Sequence, residues 1–290
     1  MKLHIFLFMI CLGLVAMTFA SEKDIAITRA MTFNVRLNVA SDGINAWPNR
    51  KDLVAGMIRF HRADIVGTQE ALIGQVHDLA DRLPDYAWFG VGRDDGDKAG
   101  EFCAVFYRKE RFELLDHSTF WLSEHPDTPG KGWDSDYNRI VTWGQFRDKQ
   151  SGQVFFFFNT HFDHIAETAR RESATLLLRK IKILSHDLPV IVAGDFNADP
   201  DSKPYEILTG NPAQMSGQKL SDTKALAVYP HHGPTRTFTA FRFSALQETA
   251  PPIDHIFITG GTVINHGTLS DTFNGRLPSD HMPVLAEIVF

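Results

Sequence analysis

Alternation of apolar and polar positions begins at residue 31, where Met31, Phe33 and Val35 alternate with Thr32, Asn34 and Arg36. A period of two predicts a strand with one apolar face, and it places Asn34 near the strand's end. A polar loop over 38–48 follows, and Pro48 opens a predicted helix with Leu53, Met57 and Phe60 on one face. The run 65–68 predicts a second strand that ends in Gln69 and Glu70, before a helix carrying Leu72, Val76, Leu79 and Leu83 at helical spacing. Segments 86–91, 102–107 and 112–121 read as short strands separated by polar turns. Consecutive strands, rather than strict strand-helix alternation, call for an antiparallel or mixed sheet.

The stretch 122–138 is rich in Pro, Gly, Asp and Ser, holds Trp133 and Tyr137, and is long enough to be a functional surface loop. It ends in Arg139, at the start of a strand over 140–147. The run 154–158 is apolar throughout, so it is buried on both faces, and it ends in Asn159, Thr160 and His161. An amphipathic helix over 166–184 leads to the apolar run 190–193, a buried strand that breaks at Gly194 and delivers Asp195 and Asn197. After a short helix at 205–208 and a largely irregular stretch over 210–250, a strand starts at the segment 252–258, and a closing strand follows Ser279, Asp280 and His281.

Each polar strand end has an ordinary explanation when taken singly. Asn34, Asp195 and Asn197 are turn-forming residue types, Glu70 suits the first turn of a helix, and Arg139 suits a surface ion pair as well as a phosphate oxygen. His161 and His164 have a spacing found in some zinc sites, but no H-E-x-x-H pattern or cysteine set accompanies them. The acidic turn 93–97 lacks the spaced ligands and closing glutamate of an EF-hand loop. Recurrence is what points to a site, because five apolar segments deliver polar groups in the same manner. Asp254-His255 and Asp280-His281 each set acid beside imidazole, yet neighbours on an extended segment face opposite ways. A working pair must therefore form between segments, with Asp254 orienting His281.

Other catalytic schemes fit less well. The chain has no G-x-S-x-G elbow and no Walker phosphate loop, and Gly90-Val91-Gly92 lacks the third glycine of a dinucleotide fingerprint. Residues 1–20, with Lys2, an apolar run over 5–15 and small residues before Ser21, have the layout of a secretory signal. Its removal leaves 28 basic against 35 acidic residues, a net charge near −7, and Cys103 as the only cysteine, so no internal disulfide can form. With no linker, repeat or low-complexity tract after residue 26, residues 21–290 are expected to form a single domain, a monomer in the periplasm or outside the cell.

The ordered set Asn34, Glu70, Asn159-Thr160-His161, Gly194-Asp195-Phe196-Asn197, Ile253-Asp254-His255-Ile256 and Ser279-Asp280-His281 resembles the endonuclease/exonuclease/phosphatase superfamily, with its deoxyribonuclease-like fold, and in particular an exported bacterial branch. The resemblance implies a four-layer α/β/β/α sandwich of two mixed, mainly antiparallel sheets. It implies Glu70 as principal magnesium ligand, with manganese able to substitute, Asn34 beside it and Asp280 near the metal. It makes Asp195 the group that aligns or deprotonates water, with Asn197 positioning water and phosphate, His281 (held by Asp254) the catalytic histidine, and His161 a phosphate-oxygen donor. Such chemistry is coherent, since phosphoester hydrolysis needs a hard cation, donors on the oxygens and a base for water.

The expected function is metal-assisted hydrolysis of a phosphate ester, on a small sugar phosphate or nucleotide-type substrate. Arg139 and Trp133 are expected substrate contacts, and Trp47 and Trp133 could stack on a base or a sugar. The alternatives are an extracellular nuclease and a catalytically silent binding module. Net negative charge without Lys/Arg runs argues against tight nonspecific duplex binding, and the sequence shows no exposed apolar hairpin for membrane insertion. No stable protein partner is implied.

Overall fold

Strand parity in this chain sorts side chains into three buried layers. The computed structural model describes residues 26–210 and 219–290; the expected signal segment lies outside the described residues. One six-stranded sheet is formed by β1 (Thr28–Asn34), β2 (Ile65–Gln69), β3 (Tyr86–Phe89), β4 (Val105–Arg108), β11 (Thr262–Thr268) and β12 (Val284–Val289), in the order β11-β12-β1-β2-β4-β3. The other comprises β5 (Phe112–Trp121), β6 (Ile140–Asp148), β7 (Val154–His161), β8 (Val190–Asp195), β9 (Ser221–Asp222) and β10 (Asp254–Thr259), in the order β5-β6-β7-β8-β10-β9. Both sheets are mixed: β1 and β2 run parallel, as do β7 and β8, and the other pairings are antiparallel.

Helices α1 (Lys51–Phe60) and α2 (Ile73–Arg82) cover the outer face of the first sheet, where Val54, Met57, Ile58, Val76 and Leu79 pack on Met31, Phe33, Val66 and Phe106. Helices α3 (Glu167–Ser185) and α4 (Lys203–Thr209) cover the second, with Leu177, Ile181 and Leu208 on Phe156, Phe158 and Val192. Between the sheets lie Ala30, Ile65, Phe155, Phe157, Ile191, Ala193, Ile256 and Ile258. This is the expected α/β/β/α sandwich, and the all-apolar run at 154–158 is explained by it, since alternate phenylalanines serve different layers.

Several local expectations are revised by the packing. The polar face of β1 is buried as fully as its apolar face, because Thr32 and Asn34 point into the space between the sheets. In α1 the buried stripe is Val54, Ala55, Met57 and Ile58, leaving Leu53 half-buried and Phe60 78% exposed beside His61. Strand β8 does not break at Gly194 but continues to Asp195, paired with β10 throughout. Glycine is needed there because a Cβ would meet the Thr160 carbonyl oxygen at 2.4 Å. Within 210–250 the described residues hold the short strand β9, the helix α5 (Thr223–Leu226) and a 3-10 turn at Phe243–Gln247, and β11 follows, an edge strand that the polar sequence Thr-Val-Ile-Asn-His-Gly-Thr conceals. At the end of the sandwich away from the strand tips that carry Asn34 and Asp195, buried Arg111 bridges Asp64 (2.8 Å) and Asp148 (2.9 Å), tying the two sheets together.

Candidate active site

The same parity that builds the inner core delivers the polar groups. Continuing the inward-facing positions of each strand gives Thr32 and Asn34 on β1, Gln69 on β2, Asn159 and His161 on β7, Asp195 on β8 and Asp254 on β10, all at one end of the sandwich. The inner layer thus passes from hydrocarbon to amide to acid and imidazole. The amide tier is tied by hydrogen bonds: Gln69 Nε2 donates to Thr32 Oγ1 (3.0 Å) and Asn159 Oδ1 (2.7 Å), and Asn159 Nδ2 donates to the carbonyls of Thr68 (2.9 Å) and Ala104 (3.0 Å), while Gln69 Oε1 is left without a partner among the described residues. Gly67 leaves room for this tier, since a Cβ there would lie 2.5 Å from Asn159 Oδ1. It is a support for the site rather than a part of its surface.

Parity alone would turn Glu70 outward, toward the helices. Instead the backbone turns left-handed at Glu70 (φ 65°), as it does at Arg36 (φ 58°) and Asn197 (φ 45°), and three strand ends are re-aimed into one cleft. Asn34 Nδ2 then donates to both Glu70 Oε1 (2.9 Å) and Asp195 Oδ2 (3.0 Å), while its Oδ1 accepts from the Arg36 N–H (3.0 Å). Asp195 Oδ2 also faces His161 Nε2 at 3.5 Å and His281 Nε2 at 3.8 Å. His281 Nδ1 donates to Asp254 Oδ2 at 2.9 Å, so Asp254 and His281 meet between segments, and Nε2 is the nitrogen turned to the cleft.

Around this centre, Asn197 lines the cleft, its main-chain N–H on Asp195 Oδ1 (3.0 Å) and its side-chain amide on the Phe162 carbonyl (3.0 Å). Asp280, 7% exposed, lies in the wall of the cleft: its Oδ1 accepts from Ser279 Oγ (3.2 Å) and its Oδ2 is 3.8 Å from Arg36 Nε. Among the described residues, the set of three acid and imidazole side chains whose ligand atoms all lie within 4.8 Å of one another is Glu70, Asp195 and His281, and Asp280 is not in it. His161 and His164 both line the cleft but do not converge, because His164 turns its Nδ1 to Arg139 (3.0 Å) and stacks on Tyr137.

Neither expected tryptophan reaches the cleft. Trp47 is 2% exposed, part of the outer core, and donates to Asp78 (2.9 Å). Trp133 packs against the core beneath α3, and its backbone N–H is held by Glu124 (3.1 Å). The aromatic rings at the cleft are Tyr137 and Phe238, the latter 4.9 Å from the His281 ring. Arg36, Arg93 and Glu101 also line the cleft, although they fall in irregular segments where the apolar-polar pattern gives no signal, and two further residues support it. Gln75 holds the Arg36 carbonyl (2.9 Å) and the Asn38 N–H (2.7 Å), and Arg50, 1% exposed, joins the Val35 carbonyl (2.9 Å) to that of Pro278 (2.8 Å). Arg93 carried a signal in retrospect, an arginine leading an acidic turn with Glu101 eight positions on.

The electrostatics follow from burial and from charge crowding. Burial, reinforced by the Asp254 carboxylate, pushes Asp195 up to about 7, with His281 and Asn34 opposing. Burial pushes Glu101 up to about 7 as well, against the pull of Arg93. Burial works against the imidazolium at His281, yet Asp254 and Asp195 outweigh it and raise His281 well above the ordinary histidine value. His161 is lowered well below it, by burial and by the Arg139 and Arg93 charges, and is neutral at pH 7.

These shifts predict a pH dependence of stability for the chelated protein. Between pH 6.5 and 8 the native state retains protons on Asp195, Glu101 and His281 that the unfolded chain has released, so it binds more protons than the unfolded state and stability falls as pH rises. His161, His266 and His231, lowered by burial, contribute the opposite slope, which fades as the unfolded imidazoles lose their protons above about pH 6.5 and leaves the three raised groups to set the sign. Thermal melts in chelator should therefore show a lower midpoint at pH 8 than at pH 6.5. A midpoint that is flat or rises across that window would contradict the charge assignment.

The surplus of carboxylates fits a hard divalent cation. Glu70 and Asp195 share the Asn34 side-chain amide and each accept one backbone N–H besides, Asp280 is buried in the cleft wall, and Arg36 stands 3.8 to 3.9 Å from Asp280 and Glu70 without making a short contact to either. Oxygen donors of this kind suit magnesium or manganese. Glu70 fits as it stands, whereas Asn34 turns its nitrogen, not its oxygen, to the carboxylates.

The Endonuclease/Exonuclease/phosphatase family model matches residues 31–281. A solved endonuclease/exonuclease/phosphatase from Bacteroides vulgatus is 42% identical, with a TM-score of 0.85 and coverage of 91% of this chain and 98% of that one. A mannosyl-6-phosphatase from Bacteroides thetaiotaomicron VPI-5482 is 38% identical, with a TM-score of 0.84 and coverage of 91% and 100%. A curated relative, the CCR4-Not complex 3'-5'-exoribonuclease subunit of Mycosarcoma maydis, is 21% identical over 83% of this chain, and the match spans 46% of that protein.

Proposed function

The chain belongs to the endonuclease/exonuclease/phosphatase family, whose members are divalent-metal hydrolases of phosphate esters, and from that premise we propose that it is an exported, magnesium-dependent phosphoesterase acting on a small phosphorylated sugar or nucleotide-type ester. The observation that carries this reading is the cleft itself. It has a volume of about 570 Å³, with Glu70, Asp195 and His281 in its wall together with Arg93, Arg139 and His161. A volume in the range of small-ligand sites supports a small substrate. The 38% identical mannosyl-6-phosphatase, matched over its whole length, supports a phosphorylated sugar. A nuclease is the second reading, and the exoribonuclease relative favours it, although the chain spans under half of that protein. Export rests on the leader-like pattern of residues 1–20.

In this reading Glu70 would hold the cation; Asn34 would be a further oxygen donor once its amide turns over to present Oδ1 in place of Nδ2, and Asp280 would join from outside the converging group. When bound, magnesium polarises a phosphoryl oxygen and offsets charge that would repel a nucleophile. Asp195 hydrogen-bonds the attacking water and takes its proton, helped by Asn197. His281, protonated at neutral pH and fixed by Asp254, donates from Nε2 to charge that builds in the transition state, while neutral His161 donates to a non-bridging oxygen.

Substrate class is tested by comparing kcat/KM in magnesium for a hexose 6-phosphate, a nucleoside monophosphate and a single-stranded oligonucleotide. The small esters should be favoured by at least about tenfold, some 1.4 kcal/mol. Preference for the oligonucleotide would establish the nuclease reading, and binding without turnover of any ester would establish a silent module.

A further inference from the structure

One side of the cleft holds two buried guanidinium groups whose hydrogen-bonding capacity is only partly used by the protein. Arg139 is 4% exposed; its Nη2 meets His164 Nδ1 (3.0 Å) and its Nε lies 3.6 Å from Asp163 Oδ2, but Nε and Nη1 have no hydrogen-bond partner. Arg93 is 9% exposed; its Nη1 donates to Glu101 Oε2 (2.7 Å), and its Nε is likewise without a partner. Both stack on Tyr137, with their Cζ atoms 5.2 Å (Arg93) and 5.7 Å (Arg139) from the ring centre, and both line the cleft that contains Glu70, Asp195 and His281. His161 Nδ1, beside them and 3.9 Å from Glu101 Oε2, also has no hydrogen-bond partner among the described residues, and a recess of about 10 Å³ between Glu70, Glu101, Arg93, Arg139 and His161 has room for about one oxygen-sized group.

Buried donors without acceptors are costly, so their persistence needs an explanation. The groups opposing them are few. Asp163 is occupied by Ser135 (2.9 Å) and by the backbone N–H groups of Ile165 and Ala166 (2.8 Å each). Glu101, pushed up to about 7 by burial, is only partly charged near neutrality. What satisfies planar N–H forks beside a phosphoryl site is a set of terminal phosphoryl oxygens. A phosphomonoester above its second pKa, near 6, presents one more charged oxygen than a phosphodiester.

We infer that Arg93 and Arg139 form a clamp on the terminal oxygens of a phosphoryl dianion, which makes the enzyme select phosphomonoesters over phosphodiesters. The inference rests on the phosphoesterase reading and adds the substrate's charge state to it. In a diester the extra alkyl group would replace the oxygen that the clamp receives, leaving buried N–H groups unpaired.

The test compares p-nitrophenyl phosphate with methyl p-nitrophenyl phosphate, which share a leaving group, on the full mature chain in magnesium. The wild type should prefer the monoester. Arg93→Gln should lower kcat/KM for the monoester about 10- to 100-fold, the range for loss of a charged hydrogen bond, and leave the diester within about threefold. Inhibition by inorganic phosphate should weaken in the same variant, and Arg93→Lys should restore only part of it, since the charge returns without the fork. Arg139→Gln should act alike, and because Arg139 is more buried, Arg93 carries the test if that variant does not fold. A wild type with equal rates on both esters, or an Arg93 variant that slows both equally, overturns the clamp and leaves the phosphoesterase reading standing. Failure of the wild type to hydrolyse either ester would instead overturn both.

Discussion

Replacing Glu70 with Gln is expected to abolish most metal-dependent turnover, with apparent magnesium affinity falling by about 100-fold or more, because the change removes the charge of a carboxylate that converges with Asp195 and His281 in the cleft. Outer partners of metal ligands typically contribute about 10- to 100-fold in affinity, and a direct ligand should contribute at least as much. The fold should survive. Glu70 Oε1 and Oε2 accept from Asn34 (2.9 Å) and the Leu37 N–H (3.1 Å), and the glutamine oxygen can keep one of these contacts. Calorimetric titration with magnesium separates the outcomes: unchanged affinity together with unchanged turnover would remove Glu70 from the site.

Asp254→Asn is expected to lower kcat by about 100- to 1,000-fold with little change in KM and less effect on magnesium affinity. The carboxylate accepts the Nδ1 proton of His281 at 2.9 Å and, with Asp195, holds the imidazole charged although it is buried. Asparagine removes that charge and can offer an N–H where an acceptor is required, so His281 is lost both as a cation and as a correctly turned ring. General acid–base assistance contributes about 10²- to 10⁴-fold in rate, which bounds the effect. Because Asp254 is argued to act through His281, the double variant Asp254→Asn/His281→Ala should be no slower than His281→Ala alone by more than about threefold. Additive losses would show that the two residues serve separate steps.

Much of this site was legible because strand geometry is simple. Apolar runs that end in Asn34, Glu70, His161 and Asp195 mark buried strands, the resemblance of their ordered set to the family implies that the tips share one edge, and the two-residue period requires an acid-imidazole pair to form across segments, as Asp254 and His281 do. What the pattern could not give is the path of irregular backbone. Arg93 heads the turn Arg-Asp-Asp-Gly-Asp, which reads as solvated, but its side chain folds back onto Glu101 and Tyr137. Trp47 opens a short 3-10 helix and Trp133 lies in a turn, where a ring can serve a core or a ligand, and both serve the core. Strand β11 was hidden because an edge strand needs few apolar residues. Phe60 was assigned to the wrong face because helical spacing fits two neighbouring stripes on so short a helix, and only the sheet beneath chooses between them.

The central claim is that this cleft hydrolyses a phosphate ester by metal-assisted attack of water on phosphorus. Its most direct test is to hydrolyse p-nitrophenyl phosphate in ¹⁸O-labelled water and follow the ³¹P resonance, once with magnesium and once with chelator. The account predicts inorganic phosphate carrying one ¹⁸O in magnesium and no release in chelator. Release that chelator does not suppress, or phosphate without the label, would contradict it.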